Sequence, residues 1–432
     1  MCYKKQQTGK VAKGPLNKEK TLLKNTVMLY IITFSSYFFN FITVPYQTRI
    51  LGPEIYGNLG FAQAFASYFQ LVLDFGFLLS ATAEVSRNRE DKQTLSRIMT
   101  AILICKGLLT IICLTAATGL CLTVPRFRGD IPLYVLCILA ALANSFLPDY
   151  LYRGLEKMSL ITYRTVGVRL FFMVAIFLTL KTSDQYYLVP ILNLCGAVAA
   201  CAWAYFDVGH RLGIKTVSVS FQYVMQTMRA SAEFFFSRVA TTLYGATNTF
   251  VLGFVYPAGS PVIGYYTSSD KLLTAARGAL SPISDSLYPY MVVNKDFKLV
   301  KKVLIVLMPL IVLGCTVVGI FAEPFCAILL GEEYREVGSL LRLILPLVVL
   351  ALPVYLCGFP VLTALNKARY ANLSVIIASG VHMLQIVVLL VTKHLTAESV
   401  CVATVITECV VFGIRLYAIF SARREKGASA LS

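Results

Sequence analysis

The chain has 432 residues, a mean hydropathy of +0.71 and 14% charged side chains, where soluble globular domains carry about 25%. That excludes an ordinary soluble protein. The formal charge of +17 would suit nucleic acid, but the basic residues follow the loops rather than one surface, so no nucleic-acid partner is expected.

Residues 1–25 begin MCYKKQQTGKVAKGPLNKEK. They are basic and polar, hold no apolar core before a small-residue cleavage site, and read as a cytoplasmic tail. Apolar runs then recur near 26–46, 57–83, 98–124, 131–152, 160–180, 186–206, 232–256, 262–292, 301–322, 338–361, 370–392 and 398–420. Each has about the 20 residues that a hydrocarbon core of roughly 30 Å requires, and helices satisfy the backbone inside lipid. The expected fold is an all-α polytopic membrane protein with twelve transmembrane helices in two six-helix lobes. The first lobe covers 26–206 and the second 232–420. A cytoplasmic linker, 207–231, joins them, and 421–432 form a cytoplasmic tail. With the N-terminus inside, cytoplasmic segments hold 26 of the 39 Lys and Arg. This positive-inside pattern places both termini in the cytoplasm.

The twelve cysteines form no CxxC pair, and no GxxxxGK[ST] sequence is present. No metal, redox cofactor or nucleotide is therefore expected. The halves echo each other. Ile50-Leu51-Gly52 matches Val251-Leu252-Gly253, Tyr56-Gly57 matches Ile263-Gly264-Tyr265, and Gly154-Leu155-Glu156-Lys157 matches Ala364-Leu365-Asn366-Lys367. Six spans per half makes the repeat parallel, an arrangement common in transporters.

Polar residues recur at helical spacing in the first two spans of each half. Span 1 has Thr33, Ser36, Asn40, Thr43 and Gln47; span 2 has Gln63, Ser67, Gln70, Asp74 and Glu84. Span 7 has Glu233, Ser237, Thr241, Tyr244 and Asn248, and span 8 has Thr267, Asp270, Thr274, Arg277, Ser281 and Asp285. A charge at the bilayer centre costs about 2.5–3.5 kcal/mol or more, so these stripes face a polar cavity or pair across helices. Lys106, Arg169, Arg238, Lys271 and Arg277 lie within spans. A cavity with this many cations suits an anion, and arginine suits phosphate.

The stretch YFFNFITVPYQTRILGPEIYGNLGFAQAFASYFQLVLDFGFLLSATAEVSRNRED at 37–91 resembles the N-terminal signature of bacterial O-antigen and polysaccharide-unit flippases of the Wzx type. These belong to the multidrug/oligosaccharidyl-lipid/polysaccharide exporter superfamily. FLPDYLYRGLEKMSLIT at 146–162, FFFSRVATTLYGATNTFVLG and GYYTSSDKLL are similar to later parts of that family. The chain departs from the family pattern at Ala83 and Arg153. The resemblance implies a central cationic cavity and an undecaprenyl-pyrophosphate-linked oligosaccharide, flipped to the outer leaflet by proton- or sodium-coupled alternating access. A polysaccharide polymerase would extend the unit. Membrane lipids would hold its tail, in a gap between the lobes.

On this reading Arg238, Lys271 and Arg277 lead the pyrophosphate and glycan site, with Lys106, Arg169, Arg153, Asn40, Gln70, Asn248 and Tyr244. Asp74, Asp270 and Glu408 are the candidates for ion coupling. A multidrug antiporter of the same superfamily, or a flippase for a teichoic-type precursor, is the alternative. An enzyme is not expected, because the external loops are short and the histidines are only His210, His382 and His394.

Overall fold

The computed structural model describes residues 15–429, apart from the side chains of 15–24, 26, 236–238, 240–244, 289, 423 and 425–429. The described residues form helices and no strand. In chain order they are α1 (Pro15–Asp74), α2 (Phe77–Arg87), α3 (Lys92–Thr123), α4 (Pro125–Arg128), α5 (Ile131–Ser145), α6 (Asp149–Gly154), α7 (Met158–Thr179) and α8 (Leu188–Asp207). There follow α9 (Phe221–Val255), α10 (Pro261–Asn294), α11 (Phe297–Ile320), α12 (Ala322–Leu330), α13 (Val337–Cys357), α14 (Phe359–Ala364), α15 (Arg369–Val391) and α16 (Ala397–Ser429).

Nine helical stretches among the described residues are long and apolar enough to cross a membrane. The first, Val27–Arg87, contains 61 residues, or about 90 Å of helix at 1.5 Å per residue. It therefore holds two expected spans, and the chain reverses between them at Gly52, with φ 68°. Expected spans 7 and 8 form α9 and α10, whose polar stripes keep them out of the nine. Several boundaries differ from expectation: α1 begins at Pro15 and α9 at Phe221, each eleven residues early, α3 at Lys92, six early, and α16 runs to Ser429, nine residues late.

α1 packs along α10 and against α5 and α7, and α5 packs on α8. α10 packs on α13, and α13 and α15 on α16. Helices of the first half thus gather round α1, and those of the second half round α13, while α1 and α10 join the two groups. At the Gly52 end the two groups touch backbone to backbone. A Cβ on Gly57 would lie 2.6 Å from the Gly264 amide nitrogen, and a Cβ on Gly264 only 2.0 Å from the Pro53 carbonyl oxygen. Gly264→Ala is expected to force this seam apart and cost about 1–3 kcal/mol, seen as a lowered Tm of the detergent-purified protein.

The halves share one local device. α5 breaks before α6, at Pro148, and α13 breaks before α14, at Gly358. Both short helices then end the same way. Glu156 (φ 58°) and Asn366 (φ 60°) adopt left-handed backbone. The next amides, Lys157 and Lys367, donate to the carbonyls of Tyr152 and Leu362, at 2.8 and 2.7 Å. This is a Schellman-type ending, set 210 residues apart. Each break also leaves a carbonyl that the helix cannot satisfy. A buried cation takes it: Lys106 donates to the Ser145 carbonyl, and Arg415 donates to that of Val354 at 2.6 Å. A cation at a helix C-terminus also gains from the helix dipole.

Candidate substrate cavity

A polar cavity of about 460 Å³ lies within the first group of helices; a larger one, about 770 Å³, lies between α1 and the second-half helices α10, α13, α14 and α16, where Tyr30, Ser281, Asp285 and Arg415 line it. Both volumes fall within the roughly 300–1,000 Å³ usual for small-molecule sites. In the first, Asn40, Thr43 and Gln47 of α1 form one wall, and Gln63, Ser67 and Gln70 of its second segment another. Asn144 comes from α5, Arg164 and Arg169 from α7, and Asn193 from α8. α10 contributes Lys271. The helical period explains the walls, since 40, 43 and 47, and 63, 67 and 70, each share a face.

The lining holds three cations and six carboxamides. No Asp or Glu stands among the described residues that line it. Lys271 Nζ donates to Gln63 Oε1 at 3.3 Å and lies 5.2 Å from the centre of the Tyr56 ring. Arg169 Nη1 donates to the hydroxyl of Ser36 and to the carbonyl of Ile32, the latter at 3.2 Å. Arg164 Nη2 pairs with Asp149 Oδ1 at 2.7 Å, while its Nη1 is buried without a hydrogen-bond partner. Field lines from cations in such a low-dielectric recess focus inward and concentrate anions there.

Of the expected site residues, Asn40, Gln70, Arg169 and Lys271 come together in this cavity. Others are drawn elsewhere by stronger partners. Arg277 Nη2 pairs with Glu408 Oε1 at 2.7 Å, in a smaller recess of the second half with Tyr355, Thr407 and Arg415. Asn248 is buried, its Oδ1 accepting from His382 Nε2 at 2.8 Å and its Nδ2 donating to Thr404 Oγ1 at 3.2 Å. Lys106 clamps the α5 break and is not a lining residue. Arg153 sits in α6, beyond that break and outside the lining. The side chains of Arg238 and Tyr244 lie outside the described residues. Asp74 ends α1 where the chain turns through Phe75 and Gly76, both at positive φ. Asp270 precedes Lys271 on α10, and the lining does not include it.

A cavity was expected between the halves; the larger recess lies there, while the one with three cations opens among α1, α5, α7 and α8, with Lys271 reaching in from α10. Sequence reasoning passed over Arg164, Asn144 and Asn193. Single amides in otherwise apolar spans were the available signal.

A profile of the family described as "Polysaccharide biosynthesis protein" matches residues 22–295. A protein of Escherichia coli (strain K12) named as an O-antigen transporter is 26% identical over 405 residues, covering 92% of this chain and 96% of its own. One of the same name from Shigella dysenteriae is 26% identical over 322 residues, covering 74% and 80%. Among solved structures, the lipid II flippase MurJ in an inward closed conformation superposes with a TM-score of 0.68 at 10% identity, covering 93% of this chain and 87% of that one. A MATE transporter of Vibrio cholerae gives 0.56 at 16% identity, covering 95% and 98%.

Proposed function

The chain belongs to the polysaccharide biosynthesis protein family, and from that membership and the cavity we propose that it flips undecaprenyl-pyrophosphate-linked oligosaccharide units across the inner membrane. The units would leave the cytoplasmic leaflet and serve O-antigen, capsule or exopolysaccharide synthesis. The observation that carries this reading is the lining: three cations for a pyrophosphate and six carboxamides for sugar hydroxyls, without a carboxylate among the described lining residues. Lys271 and Arg169 hold the pyrophosphate in this proposal, and Asn40 and Gln70 contact the glycan.

The proposed architecture is twelve spans in two six-helix lobes, 26–206 and 232–420. The shared Schellman endings 210 residues apart and the two helix groups support it. Both termini then face the cytoplasm, and the Gly52 end faces outward. Transport proceeds by alternating access, driven by a proton or sodium gradient through Asp74 or Asp270. Glu408 takes part only if Arg277 releases it. A polysaccharide polymerase receives the flipped unit. The multidrug reading is the weaker one, because a cavity for cationic drugs calls for carboxylates in its lining.

Deleting the gene in its native host tests the proposal. Surface polysaccharide is expected to disappear while single lipid-linked units accumulate on the cytoplasmic side. Units accumulating on the outer side instead would assign the block to polymerisation. Normal surface polymer would overturn the reading.

A further inference from the structure

Arg126 is the unexplained charge of the fold. It lies in the four-residue α4 at the Gly52 end, and its Nε, Nη1 and Nη2 are all buried without a hydrogen-bond partner. Its neighbour Arg128, by contrast, is exposed and donates to the Leu122 carbonyl at 2.8 Å. The Arg126 guanidinium stands 5.0 Å from the centre of the Phe61 ring. Phe61 in turn packs against Phe127, Tyr134, Phe250 and Phe254, with ring centres 5.6–6.0 Å apart. Ring faces offset part of the desolvation of a cation. They do not replace its hydrogen bonds, and a guanidinium out of water with none is among the costliest groups a fold carries. Such a group calls for a reason.

Position supplies one. Tyr134 and Cys137 are one turn apart on α5, and Cys137 lines the cavity. Phe61 also carries the second-half rings Phe250 and Phe254, so Arg126, set against it, stands where the halves meet, at the end where Gly57 and Gly264 close the seam.

We propose that Arg126 is a release-side oxyanion site: when the Gly52 end opens, its guanidinium leaves the Phe61 ring and binds the pyrophosphate passing out of the cavity. This rests on the flippase reading. The unpartnered charge disfavours the closed seam, and a bidentate phosphate contact satisfies it in the open one. The same unpartnered charge therefore both loosens the outer seam and receives the cargo.

The test compares wild type with Arg126→Met and Arg126→Lys, reconstituted in vesicles with synthetic undecaprenyl-pyrophosphoryl-N-acetylglucosamine. Arg126→Met is expected to slow flipping roughly tenfold, the loss of one charged hydrogen-bonding group, while its Tm stays level or rises. Arg126→Lys retains part of the rate. A lowered Tm would make Arg126 a packing residue and overturn the proposal, as would an unchanged rate in the Met variant. The phosphate oxygens could also belong to a lipid headgroup. An equal defect in phosphatidylcholine vesicles and in vesicles with added phosphatidylglycerol assigns them to the cargo; a defect confined to phosphatidylglycerol overturns that assignment. If wild type flips nothing, the flippase reading falls and this site with it.

Discussion

Lys271→Gln is expected to cut export of surface polysaccharide by about tenfold to a hundredfold at an unchanged amount of protein in the membrane. The range follows from the roughly 1.5–3 kcal/mol that a hydrogen bond to a charged group contributes. Among the described residues Lys271 is the one cavity cation supplied by the second half, and there its ammonium meets Gln63 Oε1 at 3.3 Å and the face of Tyr56. A cation so loosely tethered can re-aim toward a phosphate at little cost. Arg169 is tied more firmly, to Ser36 and Ile32, so Arg169→Gln also frees polar groups on α1 and carries a folding penalty. Lys271 is therefore the cleaner probe. The comparison to make is polymer yield against membrane protein level, with Lys271→Arg as the charge-preserving control. Full export by Lys271→Gln would remove this residue from the substrate site.

The Arg277–Glu408 pair is expected to govern stability more than transport. Its side chains are 18% and 4% exposed, with Nη2 and Oε1 at 2.7 Å. Removing one partner of such a buried pair costs about 3–5 kcal/mol, whereas replacing both with apolar groups of similar size is often neutral. Glu408→Leu and Arg277→Met should each lower the Tm sharply, and the double variant should recover most of the loss. Flipping measured in vesicles then separates two roles. A double variant that is stable and active makes the pair structural. One that is stable and inactive returns Arg277 to the substrate path, or Glu408 to ion coupling.

Much of this was legible in the chain itself. Period and length marked several helices to within two residues at both ends, as for α7, α8 and α15. The stripe on span 1 named Asn40, Thr43 and Gln47 as one face, and all three line the cavity. The echo between Gly154-Leu155-Glu156-Lys157 and Ala364-Leu365-Asn366-Lys367 marked two endings with the same backbone. Hydrophobic burial and helical geometry are local properties, and local sequence encodes them.

What a polar side chain does inside the bundle was not local. Lys106, Lys271, Arg277 and Arg126 look alike in sequence, each a cation in or beside an apolar run. The fold gives them four different surroundings: a freed helix carbonyl, an open cavity, a carboxylate and the face of a phenylalanine ring. The sequence by itself determined that this is a helical membrane protein with more cations than its spans could hold in lipid. Only the tertiary structure decided which cations are neutralised and which remain for a ligand. In a low-dielectric interior that choice depends on which groups the packing brings within about 3 Å, and helices distant in sequence supply them.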